Sequence, residues 1–362
     1  MFCFRRSFLK RSFFRITPLK NRIFCSRSNN FLLFSSFLKR LFFFALISSV
    51  FLFNFLTFFH WQSLVNRDSK FSIGFLQRNR SNGNSLSAAT SLNRTLPEVI
   101  IFGARKCGTR ALLQFLNAHP QIVSAQTEVH FFDRNFERGF EWYRYQMPPA
   151  LPRQLTVEKT PSYFVTHATP GRVKAMNKTV KLILIVREPV TRILSDYAQV
   201  WAKRLDNRNS TLPPLQALVL DEYTNSVNLN FKPAWVSVYH HHLSKWLQHF
   251  PLHQIHVVDG DTFTRNPSSE LAKVEQFLGI SPYLTPEMFV FNQTKGFFCL
   301  RSQLKSHSSQ LQRFETPETK CLGNSKGRKH PKISNALTQK LRLFYKPHNR
   351  LFFKLINETF DW

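Results

Sequence analysis

Glu98-Val-Ile-Ile-Phe-Gly-Ala-Arg-Lys-Cys-Gly-Thr-Arg110 is the stretch on which the fold turns. Glu98–Phe102 is a short apolar run, the pattern of a strand buried on both faces of a parallel sheet. Gly103–Arg110 follows as a loop bounded by Gly103 and Gly108. Ala111–Asn117 then carries Leu112, Leu113 and Leu116 at helical spacing. Strand, Gly-bounded loop and helix form an anion cradle, because the loop and the helix N-terminus turn unsatisfied backbone N–H groups toward one point. The glycines have the spacing of a nucleotide-triphosphatase loop, but the lysine does not. That loop needs Gly-Lys-[Ser/Thr] after its second glycine, whereas here Thr109 follows Gly108 and Lys106 lies inside the loop. No apolar strand is expected to end in the Asp that would hold Mg²⁺. The plain alternative is a Gly-rich turn with a solvated lysine.

A second strand lies at Val180–Val186 (VKLILIV), with Arg187 at its C-terminal end. Ligands of open α/β sheets bind beyond such ends. A guanidinium there can grip a phosphate with two parallel hydrogen bonds. Ser195, on the helix expected to follow, can add a hydroxyl. The alternative is an arginine that closes the strand through Glu188 or Asp196. Glu128 and His130 are two residues apart, so on a strand they would share one face and reach the same atoms. A positioned carboxylate is what a weak hydroxyl nucleophile requires of its protein. The plain reading of Glu128 is a solvated loop carboxylate.

The whole chain of 362 residues carries 50 Lys+Arg against 21 Asp+Glu, a formal charge of +29. That excess calls for a polyanionic partner, whether nucleic acid, anionic lipid or acidic polysaccharide. Part of it is a topology signal, since no acid precedes Asp68. Leu41–Phe59 (LFFFALISSVFLFNFLTFF) is uncharged and follows Lys39 and Arg40. Its length suits a hydrocarbon core of ~30 Å at ~1.5 Å per residue. The basic flank predicts a cytosolic head (1–40), a retained signal anchor (41–59), a Ser/Asn-rich stem (60–96) and a lumenal domain (97–362). A cleaved signal and a transit peptide are the alternatives. Sequons at Asn79, Asn93, Asn177, Asn209, Asn292 and Asn357 all follow the anchor. Cys299 and Cys321 are expected to pair in an oxidising lumen, the alternative being two free thiols. Trp235–Phe250 reads as one amphipathic helix with Val238, Leu243, Trp246 and Leu247 inward. Its run His240-His241-His242 points in different directions and makes no ligand set. No nucleic-acid-binding module is recognisable.

Several motifs occur in order after Arg105–Arg110. They are Glu-Val-His-Phe-Phe-Asp (128–133), Val-Glu-Lys-Thr-Pro-Ser-Tyr-Phe (157–164), Leu-Ile-Val-Arg-Glu-Pro (184–189), Leu-Ser-Asp-Tyr (194–197), His-Val-Val-Asp-Gly-Asp (256–261), Ser-Lys-Gly-Arg (325–328) and a C-terminal Phe-Asp-Trp. Together they resemble the heparan sulfate glucosamine 3-O-sulfotransferases over about residues 97–362. The resemblance implies an α/β sulfotransferase fold with a parallel sheet flanked by helices. It implies 3′-phosphoadenosine 5′-phosphosulfate (PAPS) as donor, heparan sulfate as acceptor, no metal, and a Golgi location. It further implies that Arg105, Lys106, Cys107, Gly108 and Thr109 hold the 5′-phosphosulfate. Arg187 and Ser195 would hold the 3′-phosphate, and Ser325, Lys326, Gly327 and Arg328 would complete the nucleotide site. Glu128 is the implied general base. His130, Asp133 and Lys159 are implied to line the catalytic pocket, with Gln199 as a substrate contact. A sulfuryl group carries less charge than a phosphoryl group, so Lys106 could neutralise the leaving group without Mg²⁺. Arg105, Arg110, Arg192, Lys203 and Arg204 are further candidates to line an anionic cleft.

The sequence departs from the family in three places. Cys107 stands where glycine is common, so a Cβ would crowd the donor if φ is positive there. Its thiol would also lie beside Lys106, which lowers a thiol pKa. The segment between Cys299 and Cys321 is long, with a polar stretch Ser302–Lys320, and the cytosolic head is unusually basic. The competing functions are a nucleotide kinase or triphosphatase and a non-catalytic heparin-binding membrane protein.

Overall fold

A computed structural model describes residues 92–208, 212–301, 319–323 and 327–362. The anchor Leu41–Phe59, the head, nearly all of the stem, Ser325, Lys326 and most of the Ser302–Lys320 stretch lie outside the described residues. Among the described residues no helix is long and apolar enough to cross a membrane.

The expected first strand is β1, Val99–Gly103, and all five of its residues are buried. It is followed by helix α1, Thr109–Leu116, and strand β2, Ile122–Ser124. Strand β3 is Leu155–Lys159 and β4 is Lys181–Val186. Helix α2, Pro189–Arg208, leaves β4, and β5 is Ile255–Asp259. β5 overturns the expectation that no apolar strand ends in an Asp, although Asp259 there caps the following helix by accepting from the Asp261 amide and the Thr262 hydroxyl. The five strands pair in the order β2-β3-β1-β4-β5, every pair parallel. This is the α/β sheet expected from the two apolar runs. β1 lies at its centre, which explains why Ile100, Ile101 and Phe102 are fully buried and why the run has no polar alternation. The connection after β1 leads toward β2 and that after β4 leads the other way to β5. The C-terminal ends of β1 and β4 therefore flank the crevice where open sheets bind ligands.

Trp235–Phe250 is not one helix. It divides into Lys232–Val236 and helix α3, Tyr239–Leu247, with Val238 in a non-helical conformation between them. The physical reason is a tertiary capture. The buried Arg192 donates from Nε to Ser237 Oγ at 2.6 Å and from a terminal nitrogen to the carbonyl of Pro233. The break is useful, because it sets Tyr239 at the head of α3 against Arg187. Val238, Leu243 and Trp246 are buried as expected, whereas Leu247 is only partly buried.

A small antiparallel sheet carries the disulfide. Strands β6 (Phe289–Asn292), β7 (Phe297–Arg301) and β8 (Thr319–Lys320) pair in the order β8-β7-β6. The register Lys320↔Leu300 sets Cys321 opposite Cys299, and the two form the expected bridge across 22 positions. Gln114 of α1 donates to the carbonyl of Lys320 at 3.2 Å, and Phe115 packs on Phe289 with ring centroids 5.0 Å apart. The bridge thus ties the chain leading to Gly327 against the helix that carries the anion loop. Cys321→Ser is expected to lower stability by roughly 3 kcal/mol, the cost of freeing a loop of that length. Thermal melts of oxidised wild type and variant measure it, and equal melting temperatures would show that the bridge contributes nothing.

Candidate functional site

The anion loop has the backbone the sequence leads one to expect, with one difference. Gly108 has φ 111 and caps α1, a conformation that a Cβ disfavours. The first-turn N–H groups of α1 have no intrahelical acceptor and face the loop. The other positive φ in the loop is at Lys106, at 74°, not at Cys107. Cys107 is only 1% exposed, with Sγ 3.6 Å from the hydroxyl of Tyr239. Burial outweighs the neighbouring arginines and pushes its thiol up to about 11. The expected reactive, depressed thiol is therefore corrected. The side chain that glycine would lack points into the core, and what the loop presents at this position is backbone.

Gly260 supports the loop from below. It opens the short helix Gly260–Arg265, and an ideal Cβ on it would lie 2.5 Å from Val186 O and 2.7 Å from both Arg187 Cγ and Cys107 O. Only glycine lets this turn pack against the end of β4 and the loop together. Asp261, next along, accepts from Arg187 Nε at 3.0 Å and from the Glu188 amide at 2.8 Å. Arg187 is thus held neither by Glu188 nor by Asp196, the partners considered from the sequence. Asp261 orients the guanidinium through Nε and leaves both terminal nitrogens without a partner among the described residues. Tyr239 fixes the backbone behind it by donating to Arg187 O at 2.8 Å.

Gln199 and the loop meet. Lys106 Nζ donates to Gln199 Oε1 at 2.7 Å, joining a residue expected to bind donor to one expected to touch acceptor. Arg105 donates from Nε to Asp196 at 3.0 Å. Burial alone would raise the Asp196 carboxyl, but Arg192 and Arg105 outweigh it and hold it below the ordinary carboxylate range. Arg192 is fully buried in this arrangement, so it does not line an anionic cleft. Ser195 is half-buried on α2 beside Asp196. Gly327 lies against Phe297 of β7, and Arg328 is half-buried.

The catalytic candidates gather at the end of β3. Lys159, with 3% of its side chain exposed, sets Nζ 2.5 Å from Glu128 Oε1. His130 Nε2 is 3.6 Å from Glu128 Oε2. Its Nδ1 is 3.0 Å from Asp133 Oδ2, and Ser162 Oγ donates to that same oxygen at 2.7 Å. Asp133 thus orients the ring and presents Nε2 to Glu128. Glu128 and His130 do not share a strand face. His130 is left-handed at φ 53 and heads the short helix Phe131–Arg134. The two side chains converge because the chain turns there. Glu128 is 42% exposed on its side chain, which leaves it open to a substrate.

Two residues of this region escaped the sequence reading. Glu158 is fully buried beneath the turn, and burial, offset in part by hydrogen bonds from Thr160 and Val129 and by Lys159, pushes its carboxyl up to about 7. Its signal in the sequence was slight, since Leu155-Thr-Val-Glu-Lys159 is itself largely polar, and it is the pairing of this strand beside β1 that buries an acid there at a cost. His330, just past Arg328, is held below the ordinary imidazole value by burial and then by Arg187 and Lys106, so it belongs to the same cationic neighbourhood.

Glu158 makes stability depend on pH. The folded state keeps a proton that the unfolded chain releases above 4.5. Its contribution is fully present below that value and is lost as pH rises toward 7, by roughly 3 kcal/mol in all. His242 and His256 act in the opposite sense. Burial pushes each down to about 4, so what they contribute above 6.5 is lost as pH falls. Because these slopes partly cancel, the Glu158 contribution is read as a difference. Glu158→Gln should remove the decline in unfolding free energy between pH 4.5 and 7 relative to wild type. Parallel curves for the two proteins would rule the assignment out.

Residues 96–355 match the family described as "Sulfotransferase domain". Heparan sulfate glucosamine 3-O-sulfotransferase 5 of Mus musculus and of Homo sapiens are each 42% identical over 301 residues, covering 82% of this chain and 83% of theirs. Heparan sulfate glucosamine 3-O-sulfotransferase 3B1 of Homo sapiens is 41% identical over 271 residues, 75% of this chain and 66% of its own. Among solved structures, a sulfotransferase from Alicyclobacillus acidocaldarius matches with a TM-score of 0.52 at 19% identity, covering 74% of this chain and 98% of that one, a likeness of fold.

Proposed function

This chain belongs to the heparan sulfate glucosamine 3-O-sulfotransferase family, and on that premise we propose that it transfers a sulfuryl group from PAPS to the 3-hydroxyl of glucosamine in heparan sulfate, with Glu128 as general base and no metal. The observation that carries the reading is the placement of two clusters beyond the same ends of the neighbouring parallel strands β1 and β3. One is an anion cradle of Lys106, Gly108, Thr109 and Arg187, linked through Lys106 to Gln199. The other is a solvent-accessible Glu128 held by Lys159 and faced by His130.

The residues present fit the donor. The Gly108 turn and the α1 N-terminus suit its 5′-phosphate, and the terminal nitrogens of Arg187, which have no partner among the described residues, suit its 3′-phosphate. When bound, PAPS supplies the sulfuryl group. Glu128 takes the proton of the sugar hydroxyl as that oxygen bonds to sulfur. The sulfur–oxygen bond to the 5′-phosphate breaks, and Lys106 with the loop amides receives the charge that develops on the phosphate oxygen. Lys159 and His130 hold the Glu128 carboxylate and the acceptor in register. Arg105, Cys107 (through its backbone), Ser195 and the Ser325–Arg328 segment complete the donor site in this reading, and Asp133 acts through His130. The reading includes a type II Golgi membrane topology. It is supported by the uncharged run Leu41–Phe59 behind Lys39 and Arg40, and by the Cys299–Cys321 bridge, since such bridges persist in oxidising compartments.

The test is transfer of label from PAPS to N-sulfated heparan sulfate by the full chain in detergent, with and without Mg²⁺, followed by disaccharide mapping. Label on glucosamine position 3 at equal rates in both conditions is expected. Heparin binding without transfer by folded protein would overturn the reading.

A further inference from the structure

Glu158 is a buried acid that the reaction does not consume. Both of its oxygens are engaged. Oε1 accepts from Thr160 Oγ1 at 2.5 Å and from the Val129 amide at 3.4 Å, while Oε2 accepts from the hydroxyl of Tyr143 at 3.3 Å. Thr160 Oγ1 in turn accepts from the His130 amide at 3.3 Å. Glu158 therefore reaches, directly and through one hydroxyl, the two peptide N–H groups that follow Glu128 in the chain. Those groups belong to the turn in which His130 takes its left-handed φ of 53. A side chain with a Cβ adopts that conformation only where its surroundings impose it.

Strand alternation joins this support to the reacting carboxylate. Successive side chains of β3 leave opposite faces, so Glu158 and its neighbour Lys159 diverge. Lys159 holds Glu128 Oε1 at 2.5 Å, and Glu158 holds the backbone behind the same residue. Both are anchored on the strand that pairs with the central β1, with Glu158 opposite Ile100 and Lys159 opposite Ile101. The remaining ionisable groups around Glu158 are Tyr143 and Tyr163, and burial raises both phenols and keeps them neutral. Phe131 N donates to the Tyr163 hydroxyl at 2.8 Å, extending the clamp one residue further along the turn.

We infer that Glu158 is a positioning residue for sulfuryl transfer, fixing through Val129 and Thr160 the turn that aims Glu128 and His130 at the acceptor hydroxyl. It touches neither substrate, since it is fully buried. The inference rests on the proposed role of Glu128, and two readouts separate their failures.

The first readout is kinetic, on the full chain. Glu158→Leu should lower kcat per donor-binding site by about 10²-fold, the scale of a small misplacement of reacting groups, with the KM for PAPS unchanged. Glu158→Gln keeps an oxygen for Val129 and Thr160 and should stay within a few-fold of wild type. Thr160→Val preserves shape and cuts the arm to His130, so it should also lower kcat without changing donor KM. It decides the matter if Glu158→Leu does not fold. A purely structural role would reduce the amount of folded enzyme and leave kcat per donor site intact. That result in Glu158→Leu and Thr160→Val would overturn the inference. The second readout is amide hydrogen exchange at Val129 and His130. Protection lost in Glu158→Leu and kept in Glu158→Gln upholds it. Equal protection in all three proteins overturns it, even where the wild type transfers no sulfuryl group.

Discussion

Glu128→Gln should reduce sulfuryl transfer by about 10²–10⁴-fold, the range a positioned general base contributes. The amide keeps the size and one oxygen of the carboxylate, so Lys159 retains a partner and the turn at His130 keeps its shape. What is lost is the ability to take the hydroxyl proton. Donor affinity should be unchanged, because Glu128 lies in the turn after β2 and is held by Lys159 at the end of β3, whereas the cradle leaves the end of β1. The measurement is kcat with labelled PAPS alongside the donor dissociation constant. A variant with full kcat would remove Glu128 from the chemistry. One with weakened donor binding would mean that the two clusters are coupled through the paired strands β1 and β3 that carry them.

Arg187→Ala should weaken donor binding by about 10²–10³-fold. Each hydrogen bond from a guanidinium to a phosphate is worth roughly 1.5–3 kcal/mol, and two terminal nitrogens are available here. Arg187→Lys should recover only part of the loss, since an ammonium cannot make the paired contact and cannot keep both Asp261 and a phosphate in one plane. Calorimetric titration with the desulfated nucleotide reads both variants without requiring turnover. Equal affinity in wild type and Arg187→Ala would remove Arg187 from the donor site. Asp261 provides a control. Asp261→Asn should weaken binding less than Arg187→Ala, because it loosens the guanidinium without deleting it.

The two predictions draw on different kinds of legibility. The positions of Lys106 and Arg187 just beyond strand ends were legible from pattern, whereas Glu128 was marked only by the family motif around it. An apolar run that ends abruptly in a glycine loop or an arginine marks the rim of a parallel sheet, where side chains leave the core. The pairing of Cys299 with Cys321 was readable from count and context, and the antiparallel register explains it. The strand assumed for Glu128 and His130 was not found, because i and i+2 proximity arises from a left-handed turn as well as from a pleat, and one sequence does not distinguish them. The single helix over Trp235–Phe250 failed for a related reason. Its periodicity is helical throughout, and the break comes from Arg192, distant in the chain, binding Ser237 and Pro233.

Local pattern, then, sufficed for the sheet, the cradle and the order of the motifs, since each depends on residues within a few positions of one another. What only the tertiary structure decided are relations between distant segments. Asp261 meets Arg187 across 74 positions, and Asp196 meets Arg105 across 91. The direction of the Cys107 side chain, the burial of Arg192 and the place of Glu158 beneath the turn of Glu128 and His130 belong to the same class. Charge and burial are properties of a residue's final surroundings, and those surroundings are assembled when the strands pair, from parts of the chain that share no pattern with one another.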